Sequence, residues 1–251
     1  MYHATLTIWM RHMRKFFRNR EELGGLLIQP ILWVGLFGIG MGRMVDMTGN
    51  YLSFMLPGIL ALTVLGGAAG GGMMFLDERL RGILREYQIA PIPRLGILLG
   101  HMLATLTKAF FQVGIVVVVG WVAGARWQGS FLGSVVALVA LVCFGVGFAG
   151  IALAVAARSR SIMGYHGMIF LFNLPLLFAS NALYPLTEVP TWMQWLALIN
   201  PATWYIEVSR SMGGDVQSTL TPFLGMGLLV GFAAAGTWLA LRRFQQLTQR
   251  T

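Results

Sequence analysis

The side chains that could carry chemistry are few, and their spacing limits what they can do. Four histidines, His3, His12, His101 and His166, are scattered along the chain, and neither an HExxH nor a GxSxG pattern accompanies them. His101 and His166 each fall near the end of an apolar run and read as structural. The single cysteine, Cys143, lies inside another apolar run, cannot form a disulfide within the chain and reads as a small buried side chain. A nucleotide-hydrolysing P-loop needs a Gly-Lys-Ser or Gly-Lys-Thr step, but the two lysines, Lys15 and Lys108, follow Arg14 and Thr107. The expectation is no catalytic residue, no bound cofactor and no metal site in this chain. Any work done with ATP and Mg would need a second polypeptide.

The elements around these residues read as membrane spans. With 57% hydrophobic and 11% charged residues, the composition departs from the soluble average of about half apolar and a quarter charged. Apolar segments of about twenty residues, the length that crosses a bilayer, recur from end to end and leave no room for a separate soluble domain. They run over Leu23 to Met44, Tyr51 to Leu76, Leu95 to Ala123, Phe131 to Ala157, Ile162 to Ser180 and Leu220 to Leu241. The prediction is an all-α integral membrane protein with six transmembrane helices, a single domain over residues 1–251. No small-residue cleavage site follows the first run, which is therefore expected to be a retained span. Within the second, glycines four apart, Gly66 with Gly70 and Gly67 with Gly71, let another helix approach closely.

Lys108 lies well inside the third apolar run. Placing a lysine there costs at least about 2.5–3.5 kcal/mol, so it should face protein or water. It is a candidate for a substrate path, with packing or snorkelling as the alternatives. Every acidic residue, from Glu21 to Asp215, falls between the spans or at their ends. The intramembrane carboxylates that ion-driven carriers commonly use are thus not visible.

Two segments are amphipathic. Over residues 4–20, Leu6, Trp9, Met10, Met13, Phe16 and Phe17 gather on one side of a helical wheel and Arg11, Arg14, Lys15 and Arg18 on the other. That pattern predicts a helix lying in the membrane interface, its basic side on anionic lipid headgroups. The stretch Asp77 to Arg94 is a charged island between two spans, hence a surface loop. Within it Leu80, Ile83, Leu84 and Tyr87 recur at one-face helical spacing, and Pro91 and Pro93 end the pattern. This short helix needs headgroups or a soluble partner against its apolar face.

From Asn181 to Thr219 the texture changes: Trp192, Trp195 and other aromatic residues, interspersed with prolines, suit the headgroup level of a membrane. Trp192, Trp195, Leu196 and Ile199 have helical spacing and predict a short interfacial helix, for which a re-entrant path is open. Six spans put both termini, the Asp77 loop and the Arg158 loop on one side. Of the chain's eighteen Lys and Arg residues, fourteen then lie on that side and three, Arg43, Arg126 and Arg210, on the other. Both termini are therefore expected in the cytoplasm, with the chain in the inner membrane. Sorting by side also accounts for the net charge of +9 without nucleic acid as a partner.

Two stretches carry a family resemblance. GILREYQIAPIPR, Gly82 to Arg94, resembles the cytoplasmic loop of ABC-2 type permeases, the membrane subunits of ABC exporters for drugs, lipo-oligosaccharides and polysaccharides. NALYPLTEVPTWMQWLALINPATWYIEVSR, Asn181 to Arg210, resembles their external segment, with Asn200-Pro201 and then Arg210. Arg85 stands where the family often has Glu, and Ala202 and Trp204 where larger aliphatic and Tyr- or His-like residues are common. The resemblance covers essentially the whole chain. It implies a coupling helix made by Leu80, Gly82, Ile83, Leu84, Arg85, Glu86 and Tyr87 that docks on an ATPase subunit, where ATP and Mg bind. It also implies two copies of this chain per transporter and outward movement of an amphipathic drug, lipid or glycolipid. The rival readings are a stand-alone ion-coupled carrier or channel lined by Lys108 and the glycine-rich span, and a membrane scaffold with a non-ATPase partner.

Overall fold

A computed structural model of the chain describes residues 2–35, 40, 51–89, 93–184, 186, 189–214 and 220–248. Every regular element among them is helical: α1 (Tyr2–Arg18), α2 (Arg20–Leu32), α3 (Tyr51–Leu80), α4 (Ile83–Ile89), α5 (Arg94–Val122), α6 (Phe131–Arg158), α7 (Ile162–Phe178), α8 (Thr191–Ile199), α9 (Pro201–Met212) and α10 (Pro222–Thr248). Four of these, α3, α5, α6 and α10, are long and apolar enough to cross a membrane, and α7 is a shorter apolar helix. At 17 residues, α7 is about 26 Å long, slightly less than the roughly 30 Å of a bilayer's hydrocarbon core. The expected first span falls on α2 and on residues outside the described set, where the turn Val45 to Asn50 also lies.

In lipid the solvent is as apolar as the side chains, so helices associate through close fit and small residues. The core follows that rule. Gly147 and Gly150 of α6 meet Gly236 of α10 backbone to backbone, and Gly67 and Gly71 of α3 face Ala109 and Thr105 of α5. The expected approach of another helix is thus made by α5 on one of the two glycine pairs. Gly66 and Gly70 have nothing within 4 Å of where a Cβ would be. The outer surface is apolar as well: Phe131, Leu138, Phe170, Leu171 and Phe223 are all more than half exposed. An apolar exterior of this extent suits lipid and would be a liability in water.

The helix ends sort into two groups. At one end Arg79 of α3 donates through its guanidinium to the carbonyls of Ala156 (3.1 Å), Ala157 (2.7 Å) and Ser159 (3.1 Å) at the close of α6. A cation there also meets the negative end of that helix's dipole. Phe244 of α10 lies 6.1 Å from Phe75 of α3 at the same end, and α1 joins them. At the opposite end the Tyr51 hydroxyl donates to the Leu183 carbonyl (3.3 Å) and the Arg126 amide to Ser53 Oγ (2.8 Å). The Asp77 and Arg158 segments, which the span count placed on one side, are therefore neighbours in space.

Candidate functional site

The Asp77–Arg94 stretch divides differently from its sequence pattern. α3 continues to Leu80, the chain turns at Arg81 and Gly82, and only then does the seven-residue α4 begin. Gly82 has φ +82°, a left-handed conformation that a residue with a Cβ seldom takes, so it stops α3 and sets the angle of α4. The single apolar face expected from Leu80 to Tyr87 is thereby split. Leu84 is buried in the main core, and Tyr87 packs against it with its hydroxyl buried. Ile83 is half-buried, whereas Leu80 and Glu86 are exposed. The apolar side of this helix is covered by its own chain. The outward side carries Leu80, Arg81 and Glu86, with Arg81 Nε held 2.9 Å from Asp77 Oδ1; the Arg85 side chain lies outside the described set.

α1 lies lengthwise along the first half of α5. Thr5 Oγ1 donates to the Gly96 carbonyl (3.3 Å), Trp9 Nε1 donates to Thr107 Oγ1 (3.0 Å), and the Phe16 and Phe111 rings meet edge to face at 5.8 Å. Its buried residues are Ile8, His12, Met13 and Phe16. Met10 and Phe17, expected on the apolar side, are exposed, because the stripe that meets α5 passes through positions 8, 12 and 16. Arg11, Arg14, Lys15 and Arg18 are exposed as the wheel predicts.

His12 brings with it a cluster that sequence spacing concealed. Glu78, expected on a surface loop, is only 4% exposed inside the last turn of α3, and His101 of α5 is wholly buried. His12 Nε2 lies 3.9 Å from Glu78 Oε1, and His101 Nε2 lies 3.4 Å from Glu78 Oε2. Arg11 reaches Glu78 Oε1 from the rim at 3.4 Å. Burial, reinforced by the neighbouring Arg11, Lys108 and Lys15 charges, lowers the His12 pKa to about 4. At neutral pH that imidazole is uncharged. The signal available in the sequence was the 8, 12, 16 spacing, which puts a histidine between two apolar residues.

Lys108 is half-buried on the wall of a cleft of about 710 Å³ between α2, α3 and α5. Its ammonium lies 3.8 Å from Met74 Sδ and 5.0 Å from the centre of the Phe16 ring, a cation–π distance. Gly66 and Gly70 line the facing wall. A lysine in this position faces protein and an open cleft, as the cost of burying it in lipid requires.

At the opposite end, Trp192 and Trp195 of α8 are both 65% exposed and form an apolar face with Leu196 and Ile199. Asn200 caps α9: its Oδ1 accepts from the Ala202 amide (2.9 Å) while its Nδ2 donates to the Leu176 and Ala179 carbonyls (2.9 and 3.1 Å). Pro201 occupies the first turn, where its missing N–H is no loss. α9 itself is almost wholly buried against α3, α6 and α10. Arg210 explains how: its guanidinium donates to the Phe54 carbonyl (3.0 and 3.2 Å) and the Asn181 carbonyl (2.9 Å), and lies 3.6 Å over the Phe54 ring. Asn181 donates in turn to the buried Glu207. Sequence reasoning found Asn200, Pro201 and Arg210 but missed Asn181 as a partner of Arg210 and Glu207 as the partner of Asn181.

Comparison with known proteins bears on what these ends serve. The family model described as ABC-2 type transporter matches residues 3–212. A protein named as a transport permease, ycf38, from Cyanophora paradoxa is 31% identical over 73% of this chain and 65% of its own length. The daunorubicin resistance ABC transporter permease protein DrrB1 of Streptomyces coeruleorubidus is 29% identical over 83% of this chain and 74% of its own. A protein named as a multidrug ABC transporter permease, YbhR, from Escherichia coli K12 is 25% identical over 74% of this chain and 52% of its own. With the chain from His3 to the end of α9 inside the matched region, this chain belongs to the ABC-2 type transporter family.

Proposed function

We propose that the chain is the membrane-spanning permease subunit of an ATP-driven ABC exporter, with ATP and Mg bound by a separate ATPase subunit. The observation that supports this most directly is the placement of α4. It is anchored by Leu84 at the end of α3, turned by Gly82, and leaves Leu80, Arg81 and Glu86 outward as a compact docking surface beside the basic side of α1. An element fixed to a span on one side and open on the other can pass a partner's movement into the membrane. Two copies of the chain would pair with two ATPases, both termini cytoplasmic in the inner membrane. The relatives named for drug resistance, together with the cleft at Lys108, support an amphipathic cargo of the drug, lipid or glycolipid kind.

Co-purification in mild detergent tests the reading. Wild-type chain should bring down a P-loop ATPase in stoichiometric amount. The outward-face double variant Leu80→Asp with Glu86→Lys should lose that partner and its transport while eluting as a folded species. Leu84→Asp is unsuitable for this purpose, since burial of a carboxylate in the core would unfold it. Transport by the purified chain alone, driven by an ion gradient, would overturn the proposal in favour of an ion-coupled carrier.

A further inference from the structure

The cluster of His12, Glu78 and His101 is used by nothing in the proposed transport mechanism. One ligand atom from each residue lies within 4.8 Å of the other two, and all three residues are buried. His12 Nε2, Glu78 Oε2 and both nitrogens of His101 are shielded from solvent without a hydrogen-bond partner among the described residues. Buried polar atoms are ordinarily satisfied by protein, water or an ion, so orphaned atoms on three neighbouring residues, one ligand atom from each, ask for an occupant.

The separations fit a particular one. Tetrahedral zinc, with bonds of about 2.0–2.2 Å to nitrogen and oxygen, holds its ligand atoms about 3.3–3.6 Å apart. The His101 and His12 nitrogens lie 3.4 and 3.9 Å from the two different oxygens of Glu78, and one ligand atom from each residue lies within 4.8 Å of the others, so the side chains would close by roughly an ångström to reach that geometry. Two imidazoles and one carboxylate suit a borderline divalent metal; calcium and magnesium want a shell of oxygens, and Cu(I) wants sulfur. Three protein ligands also leave a fourth position for water. Arg11 competes for Glu78 Oε1, but its side chain is 47% exposed and free to withdraw toward the Tyr87 ring, 5.5 Å from its guanidinium.

We propose that His12, Glu78 and His101 bind one divalent transition-metal ion of the zinc class, fastening α1 to the ends of α3 and α5. The ion would tie the N-terminal helix to the helix that leads through Gly82 into α4. Nothing in this inference depends on the transport reading, since it concerns binding by the chain alone.

The test uses the full chain, purified with a tag that contains no histidine, stripped of metal by a chelator and titrated with Zn²⁺ against a chromophoric chelator. One tightly held Zn²⁺ per chain is expected. Glu78→Gln, His12→Gln and His101→Gln should each weaken binding by more than the roughly 10–100-fold that follows loss of a supporting second-shell group. His3→Ala and His166→Ala, at exposed positions, should leave it unchanged. Should the ligand variants fail to fold, X-ray absorption of the zinc-loaded wild type decides, with outer-shell scattering from two imidazoles expected. Three results would overturn the proposal: a wild type that yields its zinc freely to the chelator, as a merely water-filled cluster would; binding unaltered in the glutamine variants; or a metal shell without imidazole.

Discussion

Arg210 shows what a single side chain contributes at the α8–α9 end of this fold. Its planar guanidinium reaches the Phe54 and Asn181 carbonyls at once and stacks on the Phe54 ring. Lysine cannot reproduce that geometry, because an ammonium is a point charge without a fork or a flat face. Arg210→Lys should therefore destabilise the protein by about 1.5–3 kcal/mol, the worth of hydrogen bonds to a charged group, and Arg210→Ala by more. Exposed Arg126→Ala is the control, and thermal unfolding in detergent reads all three. An unchanged Tm in Arg210→Lys would show that the network is ornamental. Arg210 and Asn200 were legible in the sequence through resemblance, but the partners of Arg210 were not: Phe54 and Asn181 lie far along the chain from it, and no local pattern links them. His12, Glu78 and His101 stayed hidden for the same reason. Helical-wheel counting by apolar residues passes over a histidine, and a carboxylate next to other charges looks solvated until the helix containing it is seen to continue.

Among the elements, α3 has two glycine faces with different work, and only packing distinguishes them. Gly67 and Gly71 abut α5, where a Cβ on Gly67 would come within 2.6 Å of the Ala109 Cβ. Gly67→Leu or Gly71→Leu should push α3 from α5 and destabilise the fold by at least the roughly 1–3 kcal/mol of ordinary overpacking. Gly66→Leu and Gly70→Leu face open space and should leave elution and Tm near wild type while narrowing the Lys108 cleft. If all four behaved alike in size-exclusion and melting measurements, the assignment of faces would be wrong. The spans α3, α5, α6 and α10 were readable from apolar run length, because a bilayer imposes that length on any sequence. The boundary between α3 and α4 was not readable. Leu80, Ile83, Leu84 and Tyr87 keep helical spacing across Gly82, so periodicity alone sees one helix where a left-handed glycine makes two.

On the scale of the whole molecule, the arrangement of ends is a stronger constraint than the count of spans. Alternating spans put both termini, the Asp77 stretch and the Arg158 loop together, and the contacts of α1, α3, α6 and α10 place the ends of those helices side by side. The N-terminal basic cluster lies at that end because His12 meets Glu78 there, whereas Tyr51 opens α3 at the opposite end. Cysteine accessibility tests which side of the membrane each end faces. In a Cys143→Ser background, Arg14→Cys should react with a membrane-impermeant maleimide only after the cells are permeabilised, as should Arg160→Cys. Gln128→Cys and Trp192→Cys, exposed near the opposite end, should react in intact cells. This pattern is expected if the basic residues gathered at that end, Arg11, Arg14, Lys15 and Arg18 with Arg79, Arg158 and Arg160, resist translocation together, α1 being packed against the same helix ends. Labelling of Arg14→Cys in intact cells, with Arg160→Cys protected, would put α1 across the membrane from the Arg158 loop. It would then contradict both the six-span topology and the contact between His12 and Glu78 on which the proposed metal site rests.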